Sequence, residues 1–121
     1  CKKISGGLYH ASRKRKHYDN TGQSRVVKLG NVKAKEMRTR GGNSKVVLLM
    51  ADVANVFNPK TKKSTVSKIV NVIETPSNRF LARQNVLQKS SVIETELGKA
   101  RITNRPSQEG NVQAVLLPES K

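Results

Sequence analysis

The chain has 121 residues, of which 35% are hydrophobic and 3% aromatic, so the sequence predicts one compact domain at most, with a small aliphatic core. Its 24 Lys and Arg against 8 Asp and Glu give a net charge of +16, far beyond what solubility requires, which indicates a polyanionic partner. No apolar run approaches the roughly 18 residues of a membrane span and no signal peptide is visible, so we expect a soluble intracellular protein.

Soft metal ligands and thiols are scarce. Cys1 has no second cysteine to pair with, and His10 and His17 are the only histidines. We therefore expect no disulfide, no bound metal and no cofactor. Because the chain opens on Cys1 rather than Met, we also expect further residues upstream of it in the natural protein.

The first third of the chain carries most of the charge. Residues 1–45 hold 13 basic and 2 acidic residues, a net charge of +11, and few aliphatic side chains. A segment that buries so little apolar surface cannot offset roughly 1 to 2 kcal/mol of backbone entropy per residue. We therefore predict a basic, irregular RNA-binding extension over residues 1–31, disordered until it meets RNA, and a β-barrel-like domain over residues 32–121.

Short β-branched runs then alternate with turn residues. Residues 45–56 predict the first strand, which is apolar on both faces, and we expect Asp52 within it to point outward. Asn58, Pro59 and the following lysines predict a turn, after which residues 65–74 form the next strand. Residues 79–83 predict a third, short strand after a cluster of turn-forming residues.

Residues 92–103 predict a hairpin with a two-residue loop at Leu97 and Gly98. In this register Ile93 lies opposite Ile102 on an apolar face. The other face carries predicted ion pairs, Glu96 with Lys99 and Glu94 with Arg101. A last strand follows over residues 112–117, so the fold class predicted is all-β, a small β-barrel-like domain with a basic N-terminal extension.

A basic cluster with flat rings lies in the extension. Arg13, Lys14, Arg15 and Lys16 are flanked by two tyrosines and two histidines, a pattern suited to neutralising phosphates and stacking on unpaired bases. The alternative is a solvated charged segment. RNA binding is favoured, because the surrounding arm offers no acidic partners for so much charge.

Two further segments have both a structural and a functional interpretation. Arg38 and Arg40 stand beside Gly41, Gly42 and Asn43, where missing Cβ atoms would let backbone N–H groups approach a phosphate. A simple tight turn explains the glycines equally well. Residues 105–110 are interpreted mainly as turn geometry between strands, with Arg105 reaching a phosphate.

Enzymatic activity finds no support in the sequence. Asp52 has no neighbouring base, both histidines lie in the extension, and Cys1 is terminal. Neither glycine pair is followed by the Lys and Ser or Thr of a phosphate-binding P-loop.

Several strings resemble the archaeal and eukaryotic small-subunit ribosomal protein S8e family, in order and spacing over nearly the whole chain. They are residues 5–7 (SGG), 15–18 (RKHY), 40–43 (RGGN), 52–56 (DVANV), 93–95 (IET) and 105–106 (RP). The short length resembles the archaeal form. The resemblance implies a β-barrel-like domain, an extension laid along small-subunit ribosomal RNA, neighbouring ribosomal proteins and no catalysis.

The function expected is a structural constituent of the small ribosomal subunit, cytoplasmic and not a homo-oligomer. The alternatives are a ribosome-assembly factor, since the family includes a longer nucleolar relative that acts in large-subunit maturation, and an RNA-modifying enzyme, which lacks a catalytic set here. The expected RNA contacts are Lys2, Lys3, Arg13, Lys14, Arg15, Lys16, His17, Tyr18, Arg38, Arg40, Gly41, Gly42, Asn43, Lys45, Arg79, Arg83 and Arg105.

Overall fold

The computed structural model describes residues 1–118, which contain a three-stranded sheet and a closed five-stranded barrel. The elements in chain order are β1 (Lys28–Leu29), β2 (Lys33–Arg38), β3 (Ser44–Ala51), β4 (Val53–Asn58), β5 (Lys63–Glu74), α1 (Arg79–Arg83), β6 (Val92–Thr95), β7 (Gly98–Ile102), α2 (Pro106–Glu109) and β8 (Gln113–Leu116). Strands dominate, so the predicted all-β, barrel-like fold class is confirmed.

The barrel runs in the order β4-β5-β6-β7-β8 and closes where β8 pairs with β4 in parallel, with Ala114 opposite Val56. Burial alternates along β4, so that Ala54 and Val56 are buried between exposed neighbours, as the two-residue period of a strand requires. The buried cluster is aliphatic, as predicted, and consists of Val27, Leu48, Ala51, Ala54, Val56, Ile69, Val72, Leu87, Ile93, Ala100, Ile102, Val112 and Ala114.

The single strand predicted over residues 45–56 is wrong, because the chain changes sheets at Asp52. Before it, β3 pairs with β1 and β2; after it, β4 pairs with β5 and β8. The Asp52 carbonyl accepts a hydrogen bond from Ile69 N at 2.8 Å, and its side chain is half-buried. The two strands also differ in their burial: β3 buries the consecutive residues Val47 and Leu48, whereas buried and exposed residues alternate along β4.

The strand predicted over residues 79–83 is also wrong; this segment is the helix α1. The Asn78 side chain caps it by accepting from Phe80 N at 3.0 Å, and Arg, Leu and Ala favour helix over strand. The closed barrel is complete without this segment and has no free edge for it to join. The strands predicted over residues 65–74 and 112–117 are confirmed as β5 and β8.

The β6–β7 hairpin is present but two residues out of the predicted register. Ile93 lies opposite Ala100 and Thr95 opposite Gly98, so the loop is Glu96 and Leu97. Gly98 follows the loop with a φ of 122°, and its carbonyl accepts from Thr95 Oγ1 at 2.8 Å. A shift of two keeps every side chain on its predicted face, which is why the buried residues were still identified.

The ion pairs predicted for this hairpin are absent. Within residues 1–118 no carboxylate lies within 4.0 Å of Lys99 or Arg101, and Glu94 faces Lys99 across the strands instead of Arg101. The charged face of the hairpin is therefore solvated rather than paired.

The connection after β7 forms the four-residue helix α2, with Pro106 at its start. Gly110 ends it in the left-handed region at a φ of 76°. The helix packs against β3, and a Cβ on Gly110 would lie 3.0 Å from the carbonyl oxygen of Val46. The connection interpreted as turn geometry over residues 105–110 thus contains a short helix that packs against the three-stranded sheet through β3.

The chain joins the folded body earlier than the proposed division at residue 31. Val27 is in the core, and its carbonyl accepts from Leu87 N at 2.8 Å, while Leu29 lies opposite Ala51 in the sheet. The domain bounds themselves stay a prediction. Residues 119–121, which that prediction places in the barrel domain, lie outside the described residues.

Candidate nucleic-acid interface

The protein compensates very little of its own positive charge. Among residues 1–118 one ion pair lies within 4.0 Å, between Arg13 Nη1 and Asp19 Oδ2 at 2.8 Å. The other described Lys and Arg side chains therefore have no carboxylate at that distance. A net charge of +16 repels itself, and this repulsion favours the binding of anions.

The first turn of the extension places two predicted contacts. Lys3 N donates to Gly7 O at 2.6 Å and Gly6 N donates to Lys3 O at 2.9 Å, with Gly6 at a φ of 86°. Lys3 Nζ lies 5.6 Å from the ring centroid of Tyr9. Lys2 and Lys3 are exposed on this turn, beside a flat ring.

The second turn organises the basic cluster around one carboxylate. Asp19 ends a 3-10 turn at His17–Asp19 and accepts hydrogen bonds from Arg13 Nη1 at 2.8 Å and Lys16 N at 3.2 Å. The expectation that the cluster has no acidic partner is wrong for Arg13. The contact is six residues away along the chain, so it orders the cluster locally and leaves its net charge positive.

The rest of the cluster is exposed. Lys14 and Arg15 have no hydrogen bond to another described residue, and Tyr18 is 80% exposed, which leaves both faces of its ring open to stacking. His17 Nδ1 lies 3.5 Å from Asn20 Nδ2. Within residues 1–118 no hydrogen bond or ion pair joins this cluster to the other predicted contacts.

The two glycines between the arginines of residues 38–43 build a tight turn. The loop joins β2 to β3 and is closed by a hydrogen bond from Thr39 N to Asn43 O at 2.7 Å. Gly41 and Gly42 have φ values of 80° and 74°, which other residues adopt only with strain. The turn interpretation is confirmed, and it leaves phosphate binding open as an additional role.

The cations around this loop differ in their exposure and in their hydrogen bonds. Arg38 and Arg40 are exposed, and Asn43 Nδ2 donates to Arg40 O at 3.4 Å. Lys45 is half-buried, and its Nζ donates to Oε1 of Gln108 in α2 at 3.0 Å. The Lys45 charge thus ties β3 to α2 without being neutralised.

Arg79 and Arg83 lie one turn apart on α1 and are both exposed. The Arg79 guanidinium carbon lies 5.3 Å from the ring centroid of Phe80, whose side chain is 59% exposed. The helix therefore presents a guanidinium and a flat ring together, although a strand was predicted here.

Arg105 is the residue before α2, and its backbone N donates to Glu109 Oε2 at 3.0 Å. It lines a cavity together with Arg25 and Lys89, which the sequence did not single out. Arg25 is held by a hydrogen bond from Nε to Ser107 O at 3.2 Å. No local signal could have found this contact, because its partners are 82 residues apart.

A second missed group is the loop between β4 and β5, interpreted only as a turn. It carries Lys60 and Lys62, and Lys63 begins β5 directly after it; all three are exposed, with Lys62 in the left-handed region at a φ of 54°. The sequence did contain an indication of this group, since three lysines within four residues after Pro59 give the turn a high positive charge.

Other functional chemistry is scarce in the part of the chain that the structure covers. Residues 1–118 contain no group of three His, Cys, Asp or Glu side chains placed to hold a metal ion. None of the helices in that range has the length and apolar character needed to cross a membrane. Cys1 is a free, exposed thiol.

A small, strongly basic barrel with unpaired cations on turns and loops is typical of proteins that bind nucleic acids. Residues 1–117 match the family described as Ribosomal protein S8e. Relatives named "Small ribosomal subunit protein eS8" include those of Pyrobaculum aerophilum (46% identical over 118 residues, 96% of this chain and 90% of the relative) and Methanosarcina barkeri (40% over 116 residues, 96% and 93%). That of Nanoarchaeum equitans is 39% identical over 114 residues, 94% of this chain and 90% of the relative. The chain belongs to the ribosomal protein S8e family.

Proposed function

We propose that this chain is a structural component of an archaeal-type small ribosomal subunit and that it binds and stabilises small-subunit ribosomal RNA. Family membership and the names of the relatives support the first part. The observation that carries the second is the single ion pair found among residues 1–118 of a chain with a net charge of +16.

The mechanism is electrostatic and architectural. Exposed Lys and Arg displace condensed counterions from phosphates, so affinity falls steeply with salt, while tight turns and flat side chains fit irregular RNA. The contacts proposed are those predicted from the sequence, in three regions: Lys2, Lys3 and residues 13–18 in the extension; Arg38, Arg40, Gly41, Gly42, Asn43 and Lys45 around the first hairpin; and Arg79, Arg83 and Arg105 beside the barrel. Neighbouring ribosomal proteins, a cytoplasmic location in the ribosome and the lack of catalytic activity and homo-oligomers belong to the same proposal.

Salt-dependent binding of small-subunit ribosomal RNA tests the role of the extension. Replacing Arg13, Lys14, Arg15 and Lys16 together by Ser should reduce the slope of log affinity against log salt by about 3, at roughly 0.7 to 0.9 per lost phosphate contact. The matched control exchanges Lys and Arg at the same four positions, which keeps the charge and should keep the slope. An unchanged slope in the Ser variant would contradict the proposal.

Sedimentation tests the assignment as a constituent. A structural component stays on mature small subunits in high-salt gradients, whereas an assembly factor is found only on precursor particles. Association restricted to precursors would replace this proposal by the assembly-factor alternative.

A further inference from the structure

A cavity of about 240 Å³ lies where the extension enters the folded body. Its walls come from distant parts of the chain: Arg25 and Val27, Ser77 before α1, the link between α1 and β6, and residues 105–108. The tertiary fold alone brings these parts together, so the cavity has no counterpart among the sequence motifs.

The cavity has an apolar lining. Its floor consists of three almost fully buried residues, Val27, Leu87 and Pro106, so the apolar surface open to a ligand belongs mostly to the carbon chains of the charged residues around them. The backbone bond from Leu87 N to Val27 O fixes two of the three. Since an apolar cavity of about 150 Å³ accepts benzene, this one has room for a single planar base.

Three cations line the same cavity. Arg25 is half-buried and its Nε is held by Ser107 O, which leaves its terminal nitrogens available. Lys89 and Arg105 are exposed. No carboxylate among residues 1–118 lies within 4.0 Å of any of the three charged groups; Glu109, on α2, accepts instead from the backbone N of Arg105.

Two glutamine side chains add neutral donors. Gln88 Oε1 accepts from Ser77 Oγ at 2.8 Å, and Gln108 Oε1 accepts from Lys45 Nζ at 3.0 Å. In both glutamines the amide oxygen thus has a donor, and the amide nitrogen Nε2 donates to no other residue in the described range. The cavity therefore presents hydrogen-bond donors, which suit a ligand rich in acceptors.

We propose that this cavity binds one unpaired, extruded nucleotide of RNA. The phosphate binds the cations, the base lies on the apolar lining, and acceptors on the base edge bind the free amide groups of Gln88 and Gln108. A bare phosphate would leave the apolar lining without a partner, whereas a nucleotide uses both kinds of surface. The inference rests on the proposed function for the identity of its ligand as RNA.

Titration of the isotopically labelled full chain, followed by NMR, tests the pocket without ribosomal RNA. The probes are adenosine and uridine 5′-monophosphates, with inorganic phosphate for comparison. The nucleotides should shift the side-chain amide signals of Gln88 and Gln108 saturably, with a Kd roughly tenfold below that of phosphate, the factor expected of one base contact. Equal Kd values, or no shift with any nucleotide, would overturn the proposal.

Variants locate the binding. Arg105→Gln should raise the nucleotide Kd at least about threefold, and Lys89→Gln provides an independent second variant. The matched control Lys99→Gln, an exposed lysine at the far end of β7, should leave the Kd unchanged. Equal changes in the pocket variants and the control would count against the pocket.

Binding of intact ribosomal RNA separates the two proposals. The double variant Lys89→Gln with Arg105→Gln should lose roughly tenfold more affinity than Lys99→Gln with Arg101→Gln, which removes the same two residue types. Equal losses, with strong binding by the wild-type chain, would overturn the pocket alone. Absence of RNA binding by the wild-type chain would overturn the proposed function, whereas nucleotide binding to the isolated chain would still be measurable.

Discussion

The extension and the folded body differ in what positions their basic side chains. Residues 1–24 contain six Lys and Arg and no buried side chain, and their contacts are local turns. In the body, Lys45 and Arg25 are held by hydrogen bonds to α2, across 63 and 82 residues of chain. Charge in the extension thus depends on local sequence, whereas charge on the body is positioned by the fold.

This difference means that affinity and stability are separable in this protein. A substitution in the extension removes no buried contact, so it should affect RNA binding and leave the free energy of unfolding unchanged. A substitution in the barrel core should do the reverse. Matched pairs of variants, one in each region, test this separation.

The largest effect is expected in the core. Ile93→Ala should lower the free energy of unfolding by roughly 2 to 5 kcal/mol, because Ile93 is fully buried and the deletion leaves a cavity. The same change at Ile4, which is fully exposed in the extension, should alter it by less than about 0.5 kcal/mol. Denaturant unfolding measures both, and similar losses would show that the extension packs on the body.

A glycine pair gives the next largest effect. Gly110→Ala should cost roughly 1 to 3 kcal/mol, since the φ of 76° strains an L-residue and the new Cβ would meet Val46 O at 3.0 Å. Gly22→Ala, with open space around it, should be close to neutral. Thermal unfolding distinguishes them, and a stable Gly110→Ala variant would mean that α2 can detach from β3.

The helix cap at α1 should have a moderate effect. Asn78→Ala should cost about 1 kcal/mol because it removes the acceptor for Phe80 N, whereas Asn78→Asp keeps that acceptor and should restore most of the stability. Chemical denaturation of the three proteins checks this. If Asp were as costly as Ala, the cap would not be what holds the helix.

The smallest effect is expected at Ser91, whose hydroxyl is fully buried and has no hydrogen-bond partner among residues 1–118. Ser91→Ala should leave the free energy of unfolding within about 0.5 kcal/mol or raise it, since an unsatisfied buried hydroxyl costs free energy. Ser12→Ala in the extension is the control. A loss above roughly 1.5 kcal/mol at Ser91 would show that the hydroxyl is paired in solution.

Local patterns predicted the barrel because they act over a few residues. The β-branched run over residues 65–74 and the turn around Pro59 identify strands without any knowledge of their partners. The basic cluster at residues 13–16 was visible for the same reason, since net charge adds up along the chain whatever the fold. The glycines at residues 41–42 likewise marked a turn.

Tertiary structure decided everything that depends on partners distant in sequence. The barrel closes without residues 79–83, which form a helix, and the β6–β7 register followed Gly98 rather than the charge pairs. The cavity lined by Arg25, Lys89 and Arg105 exists only because separate segments meet. Sequence alone determined the sign of the charge and the class of fold, since both are sums over local residues; where each charge on the folded body stands was set by long-range packing.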